Sequence, residues 1–193
     1  FKGEKKPHPA RDRSERKLRI GYVSGDFKTH SAAMIFKAVV TGHNKDEFDV
    51  FLYSTLPVDP VADAHSKAFT DCGTWRDIQS LDDEKSEALI RSDKIDILID
   101  LSGHTNGGRL TLFTRKPAPI QVTAWGFAHG TGCPEIDYFF ADPVAVPPEE
   151  REHYAEKIFD LPCIVTYTEP EYKQPGVSML PYHKNEFITF GTY

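Results

Sequence analysis

Ile95-Asp96-Ile97-Leu98-Ile99-Asp100-Leu101-Ser102-Gly103-His104-Thr105-Asn106-Gly107-Gly108 is an apolar, β-branched run that ends in a carboxylate and a glycine-rich loop. It reads as a strand feeding a loop at one edge of a sheet. On its upstream side, residues 82–92 read as a helix with acidic residues in the first turn. On its downstream side, Gly107-Gly108-Arg109-Leu110 opens a short helix, residues 120–124 form a strand after the Pro117-Ala118-Pro119 turn, and residues 136–141 form one more. Toward the N-terminus the alternation continues. Leu18-Arg19-Ile20-Gly21-Tyr22-Val23-Ser24 is a buried strand, and the helix after it takes Ser31 as its cap. Phe48-Asp49-Val50-Phe51-Leu52-Tyr53 is a second strand, residues 59–70 a helix with Pro60 in its first turn, and residues 74–78 a short strand. Short strands alternating with helices predict an α/β fold, a Rossmann-like, mostly parallel sheet with helices on both faces.

Composition narrows the class. At 193 residues the chain suits one domain of ordinary size. Its net charge of -6, with basic residues scattered among acidic ones, offers no stripe for a phosphate backbone, so nucleic acid is not an expected partner. Three cysteines, Cys72, Cys133 and Cys163, lack any paired spacing, which fits a reducing cytoplasm better than a disulfide framework or a zinc site. The apolar runs fall well short of the roughly 20 residues a membrane helix requires, so no membrane association is expected.

Residues 1–16 are polar, basic and proline-bearing, and read as a linker from an upstream region. Residues 17–184 form the expected lobe, within which Pro147-Pro148-Glu149-Glu150 starts a helix before the run at 158–161. Residues 185–193 look like the opening of a second α/β unit, with Phe187-Ile188-Thr189-Phe190-Gly191-Thr192-Tyr193 as its first strand.

Ligands of open α/β sheets settle beyond the carboxyl ends of the strands. Two loops qualify. Ser24-Gly25-Asp26-Phe27-Lys28-Thr29-His30-Ser31 follows the first strand with a carboxylate, an ammonium, an imidazole and hydroxyls. Residues 101–109 follow the central strand, their glycines permitting close backbone approach. The two should lie side by side. Neither is a G-x-G-x-x-G or Walker loop, which argues against nicotinamide cofactors and nucleotide hydrolysis. On position alone His30 serves equally as a helix cap, His104 as a loop fastener, Asp26 as a turn residue, and Arg109 as a solvated helix residue.

The ordered set of residues 18–27 with His30, residues 100–105, Arg115-Lys116-Pro117-Ala118-Pro119-Ile120-Gln121-Val122, Trp125-Gly126 and Ile136-Asp137-Tyr138 resembles the N-terminal catalytic lobe of O-linked N-acetylglucosamine transferases and their SPINDLY-like bacterial relatives. The resemblance covers about residues 17–193. It implies one lobe of a GT-B glycosyltransferase that is metal-independent and without a cofactor. The enzyme moves a sugar from a UDP-sugar to Ser or Thr hydroxyls of acceptor proteins. A C-terminal catalytic lobe would make most UDP contacts, and tetratricopeptide repeats would precede the lobe, so the lobe is expected to be inactive alone. The resemblance also implies His30 as the catalytic candidate, as base or acceptor-side contact. It gives Asp26, Gly103, His104, Thr105 and Gln121 as substrate-binding candidates, the turn at 117–121 shaping the cleft wall. This chain departs from the family pattern at residues 126–132, where His129 is an addition, and at Arg91, where some relatives carry a histidine. A non-catalytic binding or scaffolding lobe, or another GT-B enzyme such as an epimerase, would share the same alternation.

Overall fold

The computed structural model describes residues 6–8, 16–166 and 172–191. Among these, seven strands form one sheet: β1 (Leu18–Ser24), β2 (Phe48–Ser54), β3 (Thr74–Asp77), β4 (Ile97–Asp100), β5 (Ile120–Thr123), β6 (Tyr138–Ala141) and β7 (Lys157–Asp160). They are ordered β3-β2-β1-β4-β5-β6-β7, each parallel to its neighbour. Helices α1 (Ser31–Thr41), α2 (Ala64–Cys72), α3 (Asp83–Ser92) and the short α4 (Leu110–Phe113) make the crossovers, and α5 (Tyr182–Asn185) lies beyond the sheet.

Side-chain alternation divides the core into two layers. Ile20, Tyr22, Leu52, Ile99 and Val122 pack with Phe36 and Val40 of α1 and Phe69 of α2. Val23, Phe51, Tyr53 and Leu98 pack with Ile90 of α3 and Leu112 and Phe113 of α4. Burying each of these large side chains stabilises the fold by about 1.5–3 kcal/mol. The expected doubly covered parallel sheet is thus observed. Among the described residues, no helix is long and apolar enough to cross a membrane.

Several boundaries differ from expectation, each for a local reason. The Asp59 carboxylate accepts from the amides of Val61 and Ala62 at 3.0 Å, closing a turn on itself, so α2 starts only at Ala64, capped by Asp63. Pro60 therefore precedes the helix. His30, not Ser31, is the N-cap of α1, its extended backbone letting Nδ1 accept from Ala32 N at 3.2 Å. Residues 148–153 form a 3-10 turn rather than a full helix. Residues 187–191 adopt no strand, and Phe187, Ile188 and Phe190 stand exposed. Residues 192–193 of that expected strand lie outside the described residues.

Of the basic lead-in, residues 1–5 and 9–15 lie outside the description; the rest is seated on the amino edge of the sheet. Lys6 and Lys116 carbonyls both accept from Arg91 Nη2, at 3.1 and 2.9 Å, and the Arg16 guanidinium grips the fully buried Asp96 with bonds of 2.7 and 2.8 Å. The same edge holds His43, whose Nε2 lies 2.7 Å from the Tyr22 hydroxyl and whose ring packs 5.2 Å from Phe48. Burial pushes the His43 pKa below its ordinary 6.5. A depressed folded-state value means the unfolded chain takes up the proton first as pH falls. His43 therefore stabilises above about pH 6.5, and its contribution is lost as pH drops through the lower folded value. Thermal unfolding between about pH 6.5 and 5 is expected to show a falling midpoint, with a shallower slope in His43→Gln; an identical slope in the variant contradicts this.

Candidate active site

The chain reverses its direction of winding between β1 and β4, so their carboxyl ends open a crevice at the switch point. Val23 pairs with Asp100 there, and Leu101 N donates to Val23 O at 3.0 Å. The expected side-by-side loops are in contact. Ser102 Oγ lies 3.4 Å from Ser24 Oγ and accepts from Gly25 N at 3.3 Å, while Thr55 Oγ1 donates to Gly107 O at 2.6 Å.

The first loop is anchored by Phe27, fully buried among Phe36, Phe69 and Trp75 with ring centroids 6.1, 5.2 and 5.7 Å away. That anchor places Asp26 and His30 at the rim. Asp26 is buried to 7% exposure, and its Oδ1 lies 3.7 Å from His30 Nδ1, whereas the His30 side chain is 46% exposed. His30 Nδ1 thus sits between an amide donor, Ala32 N, and a carboxylate acceptor, Asp26. With Nδ1 accepting from Ala32, the neutral ring carries its proton on Nε2 and can donate to a ligand oxygen. In the other tautomer Nδ1–H turns to Asp26 and Nε2 becomes a base. Nε2 has no hydrogen-bond partner among the described residues.

The second loop is shaped by Asp100, fully buried at the end of β4. Its carboxylate accepts from Ser102 N at 3.2 Å, from Gly103 N at 3.0 Å and from Thr123 Oγ1 at 2.9 Å. Burial pushes its pKa up, opposed by the Thr123 hydroxyl and the Ser102 and Gly103 amides. Gly103 has φ +51°, and a Cβ there would press on the Phe127 ring, so glycine is required. Thr105 Oγ1 donates to Ser102 O at 2.6 Å. His104 donates Nε2–H to Thr131 O at 2.9 Å and lies edge-on to Phe127, which leaves Nδ1 for any further contact. Thr131 is gripped in turn by the buried Glu156, which accepts from both its amide, at 2.7 Å, and its hydroxyl.

Of the residues expected at the site, Asp26, His30, Gly103, His104 and Thr105 come together on the carboxyl edge. Gln121 does not. It lies in the amino-terminal half of β5, is fully buried, and donates to Phe113 O at 3.0 Å and Glu135 O at 2.9 Å, so it fastens α4 to the sheet instead of lining the cleft. The turn at 117–121 likewise leads into the amino end of β5, at the opposite edge from the crevice. Arg91 ends α3 on that far edge too, because crossover helices run against the strands. Arg109 is not solvated: at the carboxyl edge its guanidinium is taken up by Asp83 and the carbonyls of Ile78 and Leu81. His129 is exposed beside Phe127 and borders a separate cleft of about 440 Å³ with Gly130, Glu150, His153 and Tyr154. Sequence reasoning passed over Phe27, Asp63, Glu156 and the organising role of Asp100. For Asp100 a signal existed, a carboxylate ending a buried strand directly before Ser-Gly amides.

A doubly wound parallel sheet with an imidazole–carboxylate pair and a glycine-bearing loop at its switch point defines one Rossmann-like lobe. The sequence model of glycosyl transferase family 41 matches residues 4–168, and the chain belongs to that family. It is 38% identical over 185 residues to the "Probable UDP-N-acetylglucosamine--peptide N-acetylglucosaminyltransferase SPINDLY" of Arabidopsis thaliana, covering 93% of this chain and 20% of that protein. The SEC protein of the same plant, with the same enzyme description, is 34% identical over 178 residues, covering 90% of this chain and 18% of the relative. Among solved structures, a mutant of the Thermobaculum terrenum O-GlcNAc transferase superposes with a TM-score of 0.77 at 35% identity, covering 86% of this chain and 32% of that one. The expected architecture, one lobe of a GT-B glycosyltransferase, is therefore the one observed. The chain spans about a fifth of the length of the curated relatives it matches.

Proposed function

We propose that this chain supplies one wall of a site that transfers N-acetylglucosamine from a UDP-sugar to Ser or Thr hydroxyls of acceptor proteins. The observation that carries the reading is the His30–Asp26 pair set against the 101–109 loop at the switch point of a family 41 sheet. Transfer requires removal of the acceptor proton and stabilisation of the leaving diphosphate. His30 is the proton carrier at the acceptor side, Nδ1–H held by Asp26 while Nε2 takes the hydroxyl proton. Asp26 offsets the charge of the imidazolium so formed. Backbone amides, helix N-termini and the exposed His104 and Thr105 are the groups available to position the substrates on this wall.

Most diphosphate contacts come from polypeptide beyond these residues, a reading supported by the small share of the relatives' length that the chain covers. Preceding tetratricopeptide repeats, a cytoplasmic location and independence from metal belong to the same proposal. Calorimetry with UDP is expected to show binding to the longer polypeptide and none to the 193-residue chain. Equal affinity of the two would place the whole donor site here and overturn the division. Transfer by the longer polypeptide is expected to be unchanged by EDTA.

A further inference from the structure

We infer that Asp63 is a positioning residue for His30, a carboxylate clamp reaching from the start of α2 to the loop that carries the imidazole. The inference rests on the proposed role of His30 for its catalytic consequence, and on geometry for the rest.

Asp63 caps α2 in the ordinary way, Oδ1 accepting from His65 N at 3.0 Å and Oδ2 from Ser66 Oγ at 2.8 Å. Those two bonds satisfy the helix. The same carboxylate makes two shorter bonds to a residue 34 positions away, Oδ2 accepting from Thr29 N at 2.7 Å and Oδ1 from Thr29 Oγ1 at 2.6 Å. A cap needs neither. Both fall on the residue directly before His30, in a stretch also tied by Phe27 beneath it, by the Lys28 amide on Asp26 O at 2.7 Å and by the Ala32 amide on His30 Nδ1 at 3.2 Å. Burial pushes the Asp63 carboxyl upward, but the Thr29 and Ser66 hydroxyls and the Thr29 and His65 amides outweigh it and hold the group well below the usual carboxylate range. The clamp is therefore charged across the whole neutral range, and charge-assisted bonds are the stronger kind. The His30 ring is nearly half exposed and held only by the Ala32 amide on Nδ1, so the clamp on Thr29 helps fix the backbone from which the ring is aimed.

The test separates the cap from the clamp. Asp63→Ser keeps a hydroxyl that can cap α2, but is one bond too short to reach Thr29; Thr29→Val removes only the hydroxyl arm. In the intact polypeptide, Asp63→Ser is expected to unfold within a few degrees of wild type while kcat falls about 10- to 100-fold, as a displacement near 1 Å would cause, with KM for the UDP-sugar little changed. Thr29→Val should lose several-fold in kcat. Independently of catalysis, the His30 ring carbon–proton resonance should shift or broaden in Asp63→Ser while that of His43 stays in place. A His30 resonance superposed on wild type, or kcat restored together with stability in Asp63→Ser relative to Asp63→Ala, overturns the inference. If His30→Ala leaves the rate unchanged while the His30 resonance still moves in Asp63→Ser, the clamp stands and the catalytic reading fails.

Discussion

His30→Ala in the intact polypeptide lowers sugar transfer by about 100-fold or more, the range expected when a general base is removed. Two features of the structure support so large an effect. Nε2 is the only ring nitrogen left for a substrate, because Nδ1 lies between Ala32 N at 3.2 Å and Asp26 Oδ1 at 3.7 Å. The neighbouring Asp26 carboxylate is itself almost wholly buried, which fixes it beside the imidazole. Asp26→Asn should therefore lower the rate in the same direction, by weakening the tautomer in which Nε2 is a base. A rate for His30→Ala within a few-fold of wild type removes the base from the account.

Asp100→Ala is the second large effect, and it is one of stability. The substitution strands three donors, the amides of Ser102 and Gly103 and the Thr123 hydroxyl, in a place closed to water. Each unsatisfied buried group costs about 1–3 kcal/mol, so a loss of about 3 kcal/mol or more is expected in thermal or denaturant unfolding. That is a substantial part of the stability of an ordinary domain. Asp100→Asn should be intermediate, because burial already favours a neutral group there while only one oxygen remains to accept. A loss below about 1 kcal/mol for Asp100→Ala would show that the 101–109 loop does not depend on this carboxylate.

The parallel sheet was legible because its strands are apolar runs on both faces and its helices carry their own caps, as Asp82 does for α3. The meeting of the 24–30 and 101–109 loops was legible too, since handed crossovers and the carboxyl-edge rule leave few alternatives. What escaped depends on long-range partners. Nothing near Asp63 announces that its carboxylate spans to Thr29, and nothing near Glu156 announces Thr131, from which His104 hangs. Gln121 was a candidate through the resemblance alone, and nothing local announces that its amide feeds two carbonyls of the interior. Arg91, noted only as a departure from the family pattern, ends α3 on the amino edge. A helix running back along the sheet carries its end to the edge away from the crevice, whatever residue stands there.

The claim on which the rest depends is that the tips of β1 and β4 face the reaction. Hydrogen exchange of the intact polypeptide, with and without UDP-sugar and an acceptor peptide, reads this directly. Added ligands are expected to slow exchange in residues 24–30 and 101–109 and to leave residues 43–49, on the amino edge, unchanged. Protection confined to the amino edge, or absent from both rim loops while the ligands are bound, would contradict it.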